Sequence, residues 1–243
     1  MISYDFSQKS SVAAIRATFD QAVERFSNLE TGHQAAMDSR VIMELIAAAA
    51  AHTTPHATSV LDIGCGAGNY TLKLLESLPG LDCTLIDLSR PMLDRAKIRV
   101  SAKTTGNVVI LQGDIREIEL FEERFDIVIT GSTLHHLRGN HEWERVFTKV
   151  FRSLKPGGTF WISDLVSHDD PSIHALMWDR YGQYLVDQEG ESFRDRIFKN
   201  IAEEDTPRSI GYQMDLLRKV GFVNVDILHK NACFAAFGGS KFE

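Results

Sequence analysis

The chain is poor in cysteine: its 243 residues hold only Cys65, Cys83 and Cys233. An odd count at such wide spacing builds neither a disulfide framework nor a cysteine metal site, and it fits a reducing, cytoplasmic setting. Positive charge is not in excess either. The formal net charge is −7, which argues against a nucleic-acid partner held by bulk electrostatics. The densest basic stretch, 90–103, is broken by apolar residues as a helix face would be. Long apolar runs are missing as well. The most apolar segment, VIMELIAAAAA at 41–51, carries Glu44 and falls far short of the ~20 residues of a membrane span. The first ten residues, MISYDFSQKS, show no basic region followed by an apolar core, so no signal peptide is expected.

What is present is an ordinary globular content, 44% hydrophobic and 24% charged, enough for one sizeable core. Apolar residues at helical spacing, among them Val12, Ile15, Phe19, Val23 and Phe26, predict helices over 10–26 and 33–51. Strand-like runs then alternate with helical stretches. The runs are SVLDIG, LDCTLID, NVVILQG, FDIVITG and TFWISDLV; the helices fall at 68–78, 90–103 and 140–153. Continuous apolar strands alternating with helices predict a Rossmann-like, doubly wound α/β sheet. After residue 166 a polar segment of helical spacing interrupts the pattern. A helix at 209–219 and two closely spaced runs, VNVDILH and ACFAAFG, close the chain as an antiparallel pair. With no repeat and no low-complexity linker, 1–243 reads as one domain. Its parts are a helical cover at 1–56, a core at 57–166, a helical lid at 167–206, and a final helix with a strand pair at 207–243.

The chemistry concentrates in VLDIGCGAGNY at 60–70. In a doubly wound sheet, ligands sit beyond the carboxyl ends of the strands at the switch point. Here the first strand ends in glycines that permit close backbone approach. The dinucleotide fingerprint is G-x-G-x-x-G. This turn reads G-x-G-x-G, and Asn69 stands where the third glycine would fall. Asp62, two residues ahead of the first glycine, would repel a pyrophosphate but suits a ligand carrying a cationic amine. Asp87 ends the second strand and is placed to accept from ribose hydroxyls.

DIGCGAG, the acidic end of strand two, GDI at 113–115 and LKPGG at 154–158 together resemble the class I S-adenosylmethionine-dependent methyltransferases. The resemblance runs from Val60 to the C-terminus. It implies a seven-stranded sheet whose last strand runs antiparallel between strands five and six. It implies S-adenosylmethionine as cofactor and S-adenosylhomocysteine as product. Asp62, Gly64, Cys65 and Gly66 resemble the turn that holds the methionine moiety, with Cys65 as a small filler. Asp87 resembles the ribose acceptor with Leu88 beside the adenine, Met92 is a further cofactor-binding candidate, and Asp114 with Ile115 resemble the adenine contacts. Gly131 and Ser132 lie near the methionine moiety, while LKPGG reads as a structural turn. Phe19, Phe26 and Arg40 resemble a cover over the cofactor, with Arg40 either facing solvent or meeting the cofactor's carboxylate. Asp94, Arg95, Lys97 and Arg99 read as a solvated helix face.

For the acceptor, STLHHL at 132–137 follows strand four. His136 and His135 are the candidate bases, with His136 the first choice. A metal is not expected, because adjacent histidines point apart and no third ligand is spaced to join them. Asp164 ends strand five, where it orients an amine substrate or the loop histidine, or caps the lid. Trp178, Tyr181 and Tyr184, three residues apart, either line the acceptor pocket or pack on the sheet. The charge and the lid favour a small-molecule acceptor over a nucleic acid, a membrane or a protein surface. The edge strands leave room for a homodimer.

Two other readings stay open. The layout is also similar to carboxy-S-adenosylmethionine synthases, which modify the cofactor and use a lid arginine. Arg194, Arg196 and Lys199 are the basic residues nearby. A nicotinamide oxidoreductase shares the fold, but Asn69 and Asp62 count against it.

Overall fold

The continuous apolar runs become one seven-stranded sheet, ordered β3-β2-β1-β4-β5-β7-β6. The computed structural model describes residues 6–28, 32 and 34–242. The strands are β1 (Ser59–Ile63), β2 (Asp82–Asp87), β3 (Val108–Gln112), β4 (Phe125–Gly131), β5 (Leu154–Leu165), β6 (Val223–Asn231) and β7 (Phe234–Ser240). The first five pair in parallel. β7 inserts antiparallel between β5 and β6, as the resemblance implies.

Helices cover both faces of the sheet. α3 (Ser39–Thr53), α4 (Asn69–Leu75) and α5 (Arg90–Ser101) give residues such as Ile46, Leu74 and Leu93 to one core. α6 (Asn140–Ser153) and α9 (Ile210–Val220) give Trp143, Phe147 and Leu217 to the other. Local signals set several helix starts. Ser89 caps α5 by accepting the Met92 N–H, with Pro91 in the first turn, and Ser209 caps α9 at the Tyr212 N–H. A cap of this kind contributes about 1 kcal/mol.

The helix expected over 10–26 is two, α1 (Val12–Asp20) and α2 (Val23–Ser27). The next begins at Ser39 rather than at 33, and residue 33 itself lies outside the described residues. The lid segment is helical as expected. Asp170 caps α7 (Pro171–Glu189), which is followed by α8 (Glu191–Glu204). The two ends of this insertion are joined to each other by a bridge between Ser167 and Ser209, and its far end is tied to the loop after β4, where the Thr206 N–H donates to His135 O at 2.7 Å. LKPGG is part of β5 rather than a turn before it. It absorbs a register shift against β4, at the end of the sheet away from the glycine turn. Among the described residues no helix is long and apolar enough to cross a membrane.

That far end is held by Asp126. Its Oδ2 accepts the Thr58 and Ser59 N–H groups at 3.0 Å each and the Ser59 hydroxyl at 2.7 Å. Lys155 Nζ lies at 2.8 Å. Burial pushes the Asp126 pKa up, but Lys155, Ser59 and Thr58 outweigh it, so it titrates below its ordinary 3.8. Asp126→Ala is expected to cost about 1–3 kcal/mol in urea unfolding at pH 7. A lowered folded pKa stabilises above the unfolded value and is lost as pH falls through the folded one. The gap between native and variant should therefore close below about pH 3–4; a gap independent of pH would contradict the assignment.

Candidate active site

The sheet order reverses at β1, whose neighbours are β2 and β4. The carboxyl ends of these strands open into a cavity of about 310 Å³. A smaller lobe of about 60 Å³ adjoins it. Gly64, Asp87, Leu88, Thr133 and His136 belong to the walls of both, so the two form one bent site. Its size matches a ligand pocket of a few hundred cubic ångströms.

The glycine turn is shaped by what it must avoid. A Cβ on Gly64 would stand 2.0 Å from Thr133 Oγ1, so this residue is fixed by the neighbouring loop. Gly66 has φ +50°, and its Cβ would meet nothing within 4 Å. It borders the large lobe, so a side chain there would take up cavity space. Asp87 stands at the junction of the lobes. Its Oδ2 accepts the Gly66 N–H at 2.8 Å and its Oδ1 the Ser89 N–H at 2.8 Å. Burial raises its pKa despite these bonds.

Asn69 explains itself here. Its side-chain amide donates to Phe26 O at 2.9 Å and accepts from Arg99 at 2.8 Å. Arg99 also donates to Ala67 O at 2.6 Å. The position where a third glycine was sought thus ties the turn to the N-terminal cover. Arg99 staples the turn instead of facing solvent, because α5 runs beneath it and the long side chain reaches. Arg95, from the same supposed solvated face, pairs with Glu24 of α2.

Of the remaining cofactor candidates, Cys65 and Met92 line the large lobe with Gly131 and Ser132, and Leu88, Asp114 and Ile115 line the small one. Burial lifts the Cys65 thiol pKa well above its usual value, which keeps it neutral. Asp62 stands behind the turn rather than on the cavity wall. It is buried and accepts the Thr71 hydroxyl at 2.6 Å. Burial lifts its pKa to about 7. Asp114 has a partner the sequence did not announce. Arg116 donates to both of its oxygens, at 3.0 and 2.6 Å, and also meets Glu142 at 3.1 Å. Burial works against the Asp114 charge, and Arg116 overcomes it, holding the pKa below the usual carboxylate value. Arg40 faces solvent beside Glu44.

The polar groups at the other end of the cavity gather around the short three-ten turn Leu134–His136. Both histidines border the large lobe. His135 Nδ1 lies 2.5 Å from Asp164 Oδ1. Asp164 thus lies against the loop histidine, buried in the wall behind it. Asp205, which closes α8, completes the group: its Oδ1 is 3.1 Å from His136 Nδ1 and 3.7 Å from His135 Nε2. Burial opposes a charge on His135, but Asp205 and Asp164 outweigh it and raise its pKa to about 9. Asp205 was missed in the sequence. Its only signal is the EEDTP stretch at 203–207, an acidic helix end ahead of a proline.

Apolar residues Phe26, Ala35, Leu165, Tyr181, Ile197 and Phe234 line much of the large lobe, with Arg25, Asn200 and Glu204 among its polar walls. Of the aromatic stripe only Tyr181 reaches it, with its hydroxyl on Ala35 O at 2.8 Å. Trp178 packs on His174 and Phe198, and Tyr184 donates to Gln34 O. At 3.6 residues per turn, side chains three apart diverge by about 60°, so the outer two flank Tyr181 rather than share its direction.

The sheet order and the bent site at its switch point define a cofactor-binding α/β transferase of the methyltransferase type. A family model described as a methyltransferase domain matches residues 60–158. The chain is 31% identical over 175 residues to the carboxy-S-adenosyl-L-methionine synthase of Pasteurella multocida, covering 70% of this chain and 71% of that protein. It is 30% identical over 173 residues to the demethylmenaquinone methyltransferase of Lactococcus lactis, covering 69% and 67% respectively. A solved 1,6-didemethyltoxoflavin-N1-methyltransferase of Burkholderia thailandensis shares the fold. Its TM-score is 0.64 at 17% identity, over 100% of this chain and 92% of that one. The chain belongs to the class I S-adenosylmethionine-dependent methyltransferase family.

The two glycines separate stability from binding. Gly66→Ala should cost only about 1 kcal/mol in unfolding, the strain of a left-handed alanine. It should nevertheless weaken S-adenosylmethionine at least ~10-fold in calorimetry, because the Cβ enters the cavity. Gly64→Ala should cost more, about 1–3 kcal/mol beyond the backbone strain, because its Cβ collides with Thr133. Native affinity in Gly66→Ala would contradict this account of the turn.

Proposed function

We propose that the chain transfers a methyl group from S-adenosylmethionine to a small, largely apolar acceptor bearing one ionisable heteroatom. The carrying observation is the continuity of the two lobes. A cofactor held at Asp87 and the glycine turn shares one cavity with an apolar lobe whose polar pole is His135, His136 and Asp205.

The residues fit the cofactor. Gly66 leaves open the space a side chain would fill, and the immobilised Asp87 carboxylate at the junction suits a ribose diol. Leu88 and Ile115 offer apolar walls to the adenine, with Asp114 at the rim. When bound, S-adenosylmethionine supplies an electrophilic methyl carbon on a sulfonium. The chain's part is alignment and exclusion of water. Tyr181, Phe26 and Phe234 close apolar surface over the acceptor. His135, positioned by Asp164, and His136 meet the heteroatom and manage its proton.

The carboxy-S-adenosylmethionine synthase reading has support in the Pasteurella relative's name. The lid cations count against it: Arg194 pairs with Asp195, Arg196 with Glu189 and Lys199 with Glu203. Among the described residues, Arg25 of α2 is the arginine that lines the large lobe.

Mass spectrometry of the ligand that co-purifies distinguishes the cofactor from its carboxylated form. A screen with labelled S-adenosylmethionine against hydroxylated, amino and thiol aromatic acceptors then tests transfer. His135→Ala and His136→Ala should each lower turnover at least ~100-fold with cofactor affinity changed less than ~3-fold. Unchanged turnover in both variants would remove the pole from the mechanism, and carboxylated cofactor in the native protein would favour the synthase reading.

A further inference from the structure

The pole does more than present two imidazoles. His135 and His136 are adjacent, yet different nitrogens of the two rings converge on one carboxylate. His136 Nδ1 lies 3.1 Å and His135 Nε2 3.7 Å from Asp205 Oδ1. The three donor atoms all lie within 4.8 Å of one another. Around an ion with bonds near 2.0–2.1 Å, neighbouring ligand atoms stand about 3–3.4 Å apart, so modest closure would complete the set.

Two further observations point to a missing occupant. His136 Nδ1 and Asp205 Oδ1 are buried without a hydrogen-bond partner of good geometry, and Asp205 is only 7% exposed. Buried polar atoms are normally satisfied. In addition, Asp164 holds His135 through Nδ1 at 2.5 Å, which turns Nε2 toward the cavity. A carboxylate behind the ring is how ligating histidines are oriented.

The charge agrees. Asp164 and Asp205 set two carboxylates against the two rings, with Glu204 on the same wall. The nearest cations turn to the backbone behind it: Lys9 donates to Asp205 O at 2.6 Å and Arg138 to Glu204 O at 2.6 Å.

We propose that His135 Nε2, His136 Nδ1 and the Asp205 carboxylate form a two-histidine, one-carboxylate site for a divalent first-row transition ion, zinc foremost, accessible from the acceptor lobe. Imidazole donors select such ions over magnesium or calcium. Three protein ligands leave a position open. The ion's role rests on the acceptor reading above. The acceptor's heteroatom takes the open position, and its proton leaves to water at a lower pH than in free solution. On this assignment the rings act as ligands rather than as bare bases.

The native chain, stripped with chelator, is titrated with cobalt(II) alone and then with zinc(II), by calorimetry and visible absorption. One cobalt per chain is expected, with a ligand-field spectrum that zinc displaces. His136→Ala and Asp205→Asn should weaken the ion at least ~100-fold, and Asp164→Asn about 10-fold. S-adenosylmethionine binding and a thermal melt on the same preparations report the cofactor lobe and the fold, so the two readings fail separately. A native chain that binds the cofactor but takes up no stoichiometric cobalt overturns the site and leaves a metal-free imidazolium–carboxylate group. Uptake undiminished in folded His136→Ala and Asp205→Asn overturns the ligand assignment.

Discussion

The Asp87 carboxylate is the point on which the site turns. Strand two ends there, and its two oxygens take the N–H of Gly66 from the first strand's turn and the N–H of Ser89 from its own helix cap. One buried acceptor therefore fixes both the path of the glycine turn and the start of α5, at the point where the two lobes meet. The turn is then held from outside by Arg99 on the Ala67 carbonyl and by Asn69, which also reaches the cover at Phe26. Remove any of these and a cradle that depends on backbone approach loses its register. Burying a carboxylate is costly, and the raised Asp87 pKa records the burial that its hydrogen bonds only partly offset.

The histidine end of the cavity is built on a second set of contacts that join elements distant in sequence. Thr206 donates to His135 O, and its hydroxyl meets Leu137 O. Where α8 ends, Asp205 is therefore delivered to the histidine turn at the end of β4. Asp164 comes from β5, the neighbouring strand. The lid is thus not merely laid over the strand ends, because it contributes a carboxylate to the pole it covers. Apolar walls around such a group lower the local dielectric and strengthen each charge interaction within it.

The fold was legible because its signals are local and periodic. Apolar runs such as FDIVITG lie within one or two residues of the observed strands, and α6 runs over 140–153 as read. The antiparallel pairing of the last two strands was legible in their close spacing, and the insertion of the last between strands five and six through the family resemblance. Most of the candidate residues around the glycine turn line the cavity, because their spacing is short and their backbone demands are specific, whereas Asp62 lies behind the turn. What stayed hidden depends on long-range contact. Asp205 lies about 70 residues from the histidines it meets, Arg116 is an unremarked neighbour of Asp114, and Arg99 looks like any solvated helix cation until α5 is placed under the turn. The aromatic stripe divides between the two readings, Tyr181 on the cavity and Trp178 and Tyr184 packed beside it, since a spacing of three residues drifts around the helix. The spacing around the two adjacent histidines showed no third donor, because Asp205 meets them only through the fold.

The central claim is that Asp87 and the glycine turn hold S-adenosylmethionine across the junction of the two lobes. Calorimetric titration of S-adenosylhomocysteine and of NAD into native protein and Asp87→Ala tests it most directly. The account predicts one S-adenosylhomocysteine site per chain, weakened at least ~10-fold in Asp87→Ala, and no NAD binding. Binding of NAD in its place, or unchanged S-adenosylhomocysteine affinity in a folded Asp87→Ala, would contradict it.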